Sequence, residues 1–216
     1  MALRWDHRLL WREGDEPRRH AEIILPMVDA LLREAGAGLA ALDAIAVSRG
    51  PGSFTGVRVA VATAQGLALA AGVTIVPVST LATVVRAAWE RHRAVHVLAA
   101  LDARMNEVYW CTGNVDEAGR VTIGPEQVSP PERLDIPPHP LPWFPAGPGW
   151  AVYAGRLPGP ADPRLQAGDS HLEPHARYVL PLAEQAVTAG ETVPATGLEP
   201  VYLRDEVARK KHRAGE

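Results

Sequence analysis

Cysteine is almost absent from these 216 residues, and so is any surplus of positive charge. The single Cys111 excludes an intrachain disulfide and a cysteine-based metal cluster within one subunit, and is the usage expected of a reducing, cytoplasmic setting. Lys and Arg number 22 against 25 Asp and Glu, a formal net charge of −3, which argues against nucleic-acid binding driven by the overall field of the chain. A local basic cluster remains at Arg209, Lys210, Lys211 and Arg213. No basic, apolar, small-residue progression opens the sequence, because Arg4, Asp6, His7 and Arg8 interrupt it at once. Charge is missing altogether from Val59 to Val85. Gly72, Pro77, Ser79 and Thr80 cut that span into pieces shorter than the roughly 20 apolar residues a bilayer crossing needs, so no membrane helix is expected.

What is present is enough apolar material, 47% of residues, for a sizeable core. A hairpin is expected to open the chain, with Leu3 and Trp5 facing Leu9 and Trp11 across an Asp6–His7 turn. A helix from about 18 to 35, a strand at 42–47, a helix at 55–71, a strand at 73–78 and a helix at 81–91 follow, an alternation that favours parallel strands with helices on their faces. Strands at 95–101 and 108–112 flank a polar turn and start a second subdomain. Twelve of the 20 prolines lie between Pro125 and Pro163, so ordered irregular loops, tethered by Trp143, Phe144 and Trp150, are expected there. A helix at 174–189 and a final strand or arm near 201–203 close the pattern.

The most informative stretch is Ser48-Arg49-Gly50-Pro51-Gly52-Ser53-Phe54-Thr55-Gly56-Val57-Arg58, glycines around a proline between a strand and a helix. Free N–H groups at a helix start suit an anion, and Gly50, Gly52, Ser53, Thr55, Gly56 and Arg58 are the candidate contacts. Yet it is not a Walker loop, lacking the final glycine and lysine, and its third glycine is one residue late for a dinucleotide fingerprint. A structural turn that brings helix and strand close is the competing reading. Ser53 or Thr55 is the expected helix cap. Arg58, in the first helical turn where a cation is disfavoured, calls for an anion or an acidic neighbour.

Other candidate chemistry is thinner. His171 and His175 have HxxxH spacing, but Pro174 belongs in a first helical turn and leaves His171 outside it, so no metal site is expected. His20, with Glu22 behind it, has no nucleophile to serve, and Ser53 has no assignable His and Asp partners. Asp102 and Arg104 sit at a hairpin turn, where charged residues are usually solvated. The helix around Ala64 shows only Thr63 and Gln65 as polar side chains from Val59 to Ala71, and the first helix is apolar over a wide arc. A burial surface outside the sheet is implied, with Ile24, Met27, Val28, Leu31, Ala60, Thr63, Ala64, Leu67 and Ala68 as its expected residues; a partner protein is one cover for it, and the chain's own second subdomain or C-terminal arm is the other.

The string from Ser48 to Arg58 resembles the signature of the TsaB family, and similar segments occur at His20 to Leu32, Pro77 to Val84, Leu98 to Trp110 and Glu199 to Lys211. The resemblance implies an α/β, actin-like (sugar-kinase/Hsp70-like) fold of two small subdomains, a mixed sheet with flanking helices, here divided as 1–93 and 94–216. It also implies a noncatalytic subunit required for threonylcarbamoyl transfer to the tRNA adenosine beside the anticodon. Such a subunit pairs through its first two helices with the catalytic TsaD, with the ATPase TsaE as a further component. The HxxxH pair of TsaD is replaced here by Ser79-Thr80-Leu81-Ala82-Thr83, and its second glycine-rich turn by Asp102-Ala103-Arg104-Met105-Asn106. ATP and metal are therefore expected in the partners, none bound tightly by this chain, and tRNA only through the complex. An ATP-dependent phosphotransferase or glycoprotease-like peptidase of the same fold class, and a homodimeric binding module, are the alternatives. TsaB relatives ordinarily begin with a strand before the segment matching Ala2 to Trp11, and a sheet without it is expected to leave two strand edges open.

Overall fold

The computed structural model describes residues 1–14 and 20–204, of His20 and Ala21 the backbone only. Strands β1 (Ala2–Trp5) and β2 (Arg8–Trp11) form the opening hairpin. The Asp6–His7 turn is as expected, but Leu3 stands opposite Leu10 and Trp5 opposite Arg8. A two-residue turn with Asp6 at φ +53 sets this register, which puts Leu9 and Trp11 on the other face from Leu3 and Trp5.

Helix α1 (His20–Ala35) is followed by a βαβ unit of β3 (Ala44–Gly50), α2 (Phe54–Ala71) and β4 (Thr74–Ser79). β3 and β4 are parallel, with Ile45 opposite Ile75 and Ala46 opposite Val76. α2 stops at Gly72, whose φ of +71 closes the last turn through its N–H to the Ala68 carbonyl. Helix α3 (Thr80–His92) starts directly at the end of β4, because the Ser79 hydroxyl accepts the Ala82 N–H at 3.1 Å. By length and composition α2 is, among the described residues, the helix that could cross a membrane. In this fold it lays Val61, Ala64 and Ala68 against Val47 and Ile75.

The second sheet is mixed. Strands β5 (His96–Asp102) and β6 (Val108–Val115) are antiparallel, β7 (Val121–Ile123) and β8 (Gln127–Ser129) both run antiparallel to β6, and β9 (Phe144–Ala146) runs parallel to β5. Leu81, Val84, Val85 and Ala88 of α3 are fully buried in a core shared with this sheet. Full burial of such side chains contributes about 1.5–3 kcal/mol each for Leu and Val. A Cβ on Gly113 of β6 would lie 2.5 Å from Val85 Cγ2, so glycine permits the close helix–sheet approach.

The proline-rich segment is ordered by indole hydrogen bonds, Trp143 Nε1 donating to Pro137 O and Trp150 Nε1 to Leu98 O, each at 3.0 Å. Trp143, Tyr153, Leu157 and Leu165 build a second core against Leu98 and Trp110. After the short helix α4 (Gly149–Val152), helix α5 (Ala176–Ala189) returns to the first subdomain, packing Val179, Leu182 and Ala183 on Val76 and Val78 of β4.

β1–β2 and β3–β4 are separate two-stranded sheets, both touched by α5, and β1 and β3 share no ladder. Residues 201–203 form an arm rather than a strand. The Val201 N–H donates to the Arg49 carbonyl at 2.8 Å and fixes the arm to the end of β3.

Candidate functional site

The signature turn is built around its own cap. Ser53 Oγ accepts the Gly56 N–H at 3.1 Å, which decides the capping role between Ser53 and Thr55. A Cβ on Gly56 would meet Ser53 Oγ at 2.6 Å, so this glycine is required by the cap rather than by a ligand. Gly50 has φ +107, and a side chain there would press on Val201 O of the arm at 3.0 Å. Gly52, Ser53 and Thr55 are exposed. Arg58 departs from expectation: its guanidinium carbon lies 3.3 Å from the Phe54 ring centroid and 5.1 Å from that of Tyr202, and among the described residues no ion pair holds it. Cation–π stacking supplies the electron density that an acidic neighbour was expected to provide.

Two of the chain's own carboxylates, Glu126 and Asp102, are held by hydrogen bonds at the start of α3 and at the β5–β6 tip. At the N-terminus of α3, Ser79 Oγ donates to Glu126 Oε1 at 2.5 Å, and Arg49 donates to Glu126 Oε2 at 2.9 Å. The helix dipole and Arg49 both favour that charge. Burial, and secondarily the Glu126 charge, push the neighbouring Cys111 thiol far up, so it is held as an unreactive thiol. At the β5–β6 tip, Arg104, Met105 and Asn106 are all left-handed, with φ of +60, +52 and +61. Asp102 Oδ1 accepts the Arg104 N–H at 2.7 Å and the Tyr153 hydroxyl at 2.8 Å. Desolvation first, then the hydrogen bond and charge of Asp102, raise the Tyr153 pKa. Asp102 is therefore an internal acceptor, not the solvated turn residue expected. Arg204 of the arm donates its Nε to Glu107 at 2.8 Å and an amino group to Ala103 O at 3.2 Å, so the arm spans from the signature turn to this tip.

The HxxxH pair does not converge. His171 is exposed in a loop, whereas His175 caps α5, its Nδ1 accepting the Arg177 N–H while Nε2 contacts Glu13. Among the described residues no three His, Cys, Asp or Glu side chains are grouped for a metal ion. The His20 side chain and the cluster from Arg209 to Arg213 lie outside the described residues.

The apolar helices require a correction. Ala64 and Ala68 retain only 4% and 1% exposure and Leu31 only 2%, all three inside the chain's own core. Packing on β3 sets the phase of α2, and that phase turns Ala64 and Ala68 inward. Ile24, Met27, Val28, Ala60, Thr63 and Leu67 are half-buried. The outward face of α2 carries Phe54, Ala62, Gly66, Leu69 and Ala70 instead, with Leu69 65% exposed. α1 contacts α2 and exposes Leu25 to 54%. Composition could identify the apolar helix but not its phase, because its residues are apolar all round.

The family model described as "TsaD: tRNA N6-adenosine threonylcarbamoyltransferase" matches residues 15–150. The tRNA threonylcarbamoyladenosine biosynthesis protein TsaB of Escherichia coli is 42% identical over 215 residues, covering 94% of this chain and 91% of that one. The solved structure "YeaZ from Pseudomonas aeruginosa" superposes with a TM-score of 0.86 at 45% identity, covering 94% of this chain and 92% of that chain. A tRNA N6-adenosine threonylcarbamoyltransferase of Novosphingobium aromaticivorans is 47% identical, but over 64 residues, 30% of this chain and 18% of that protein. The mixed sheet with flanking helices is the actin-like fold. Near full-length similarity to TsaB, against a short shared segment with the transferase, decides between the two, and the chain belongs to the TsaB family.

Proposed function

We propose that this chain serves tRNA threonylcarbamoyladenosine biosynthesis as a noncatalytic subunit that pairs with and stabilises a TsaD-like catalytic partner. The observation that carries the reading is the outward face of α2, where Leu69 and Phe54 stand exposed beside the small residues Ala62 and Gly66. Small residues let a second helix approach closely, and the exposed Leu and Phe supply area to bury. α1 adds Leu25 alongside. The noncatalytic role is supported by Glu126, which holds the start of α3 next to Arg49 of the signature with a carboxylate of the chain itself.

ATP, metal and tRNA are then engaged through the partners, a TsaE-like ATPase among them, in the cytoplasm. Those further components rest on the family resemblance. Co-expression with a TsaD-type protein tests the pairing, with Leu69→Glu as the interface variant. Co-purification of the wild type and its loss in Leu69→Glu is the expected result, and equal recovery of both overturns the surface. A wild-type chain that scatters light as a dimer and fails to capture the partner assigns the same face to self-association instead.

A further inference from the structure

A pocket of about 330 Å³ opens between the β1–β2 hairpin, α3 and α5, away from the signature turn and from the exposed face of α2. Four arginines line it, Arg4, Arg86, Arg91 and Arg177, against one lining acidic residue, Glu90. In a chain with a formal net charge of −3, such local concentration of positive charge is unexpected.

The pairing state of the four is uneven. Arg86 is satisfied, donating to Glu90 at 2.8 Å and to Gly119 O at 2.6 Å. Arg4 is bound to Glu184 at 3.0 Å in an exposed ion pair, which contributes little. Arg91 and Arg177 are in no ion pair among the described residues, although the charge of Arg91 helps to hold the Asp169 carboxyl below the usual range. Arg177 contacts the Tyr178 hydroxyl and its guanidinium carbon lies 4.6 Å from the Tyr178 ring centroid, yet its Nε is buried without an acceptor, an orphan among the described side-chain atoms. Keeping a partly desolvated guanidinium without a counter-charge is costly, and an anion in the pocket offsets that cost.

We propose that the pocket binds a compact polyphosphate, the diphosphate group of pyrophosphate or of a free nucleotide. The volume lies at the small end of ligand pockets, about 300–1,000 Å³, which favours a compact ligand. Guanidinium groups match phosphate oxygens in geometry as well as charge. One phosphate group brings about −1.5 to −2 charges, so a diphosphate matches Arg91, Arg177 and Arg4, whose exposed pair with Glu184 is weak, better than a single carboxylate does, while Arg86 stays with Glu90. Leu9 and Pro181 supply the apolar part of the wall. The proposal is independent of any partner on α1 and α2.

Isothermal titration of the full chain with pyrophosphate at low salt tests it. Saturable binding of one pyrophosphate per chain is expected, with a Kd tighter than about 1 mM. Arg91→Ala removes an exposed side chain that is in no ion pair among the described residues and is expected to weaken binding about tenfold with unchanged melting, whereas Arg91→Lys retains part of the affinity. Arg177→Gln is expected to weaken it at least as much; if that variant does not fold, Arg91→Ala carries the test alone. A single-stranded oligonucleotide is the second probe, and its failure to displace pyrophosphate supports a small-ligand site. Absence of saturable binding, equal affinity in Arg91→Ala, or Arg91-dependent binding of the oligonucleotide without pyrophosphate binding overturns the proposal.

Discussion

Glu126 accepts a hydrogen bond from the Ser79 hydroxyl at 2.5 Å, across 47 residues of sequence, and so places a carboxylate from the β7–β8 connection at the first turn of α3. Ser79 Oγ meanwhile accepts from the Ala82 N–H, so one hydroxyl joins the helix cap to the neighbouring sheet. Arg49 completes the group from the end of β3.

Glu126→Ala is expected to lower unfolding stability by about 2 kcal/mol, because it strips a charged acceptor from Ser79 and leaves Arg49 half-buried without a partner. Urea unfolding measures it. In an Arg49→Met background the cost should shrink; an unchanged cost there separates Arg49 from the group.

The two faces of α2 should respond oppositely to charge. Ala64→Glu buries a carboxylate against Val47 and Ile75 and is expected to cost about 3 kcal/mol or more. Leu69→Glu is expected to change stability by no more than about 0.5 kcal/mol while abolishing partner capture. Thermal melts together with co-purification distinguish the faces, and a stable Ala64→Glu chain contradicts the phase assigned to the helix.

Ser53 and Gly56 should be coupled. Ser53→Ala is expected to cost about 1 kcal/mol through the lost cap. Gly56→Ala displaces the same hydroxyl, while alanine returns about 1 kcal/mol of helix propensity, so that variant should be nearly neutral. A double-mutant cycle by denaturant unfolding reads the coupling. Serine removal that costs as much in the Gly56→Ala background as in the wild type would show that the hydroxyl does not depend on the glycine.

Tyr153 should titrate above the ordinary tyrosine value of 10.0, since burial and Asp102 both disfavour the phenolate. Its folded pKa is raised, so the associated stability is fully present below the unfolded value and is lost as pH rises through the folded one. Ultraviolet titration of the wild type against Asp102→Asn checks this. The Asn variant is expected to titrate nearer the ordinary value, and an unshifted midpoint removes Asp102 as a cause.

Much of the fold was legible because local rules were strong. Gly72 and the apolar run before it located the end of α2, and Ser79 before an apolar run located the start of α3. Prolines between 125 and 163 announced irregular loops tethered by Trp143, Phe144 and Trp150; the indoles do hold the segment, but it also contains β8, α4 and β9, in which Phe144 pairs with β5. The hairpin register was missed because alternation in so short a strand leaves a one-residue shift undetermined, and the Asp6 backbone resolved it. Arg58 was missed as a stacking residue because only a charged neighbour was sought for it, although Phe54 stands one helical turn before it; Tyr202, the second ring, lies far along the chain.

The residues alone determined the element order, the family signature and the existence of an apolar helix with more surface than a core needs. They are local properties of composition and spacing. Only tertiary packing decided which stripe of α2 faces inward, since a helix apolar on every side takes its phase from the strand beneath it. Packing also brought Glu126 to Ser79 and four arginines to one pocket, contacts between elements that no sequence period encodes.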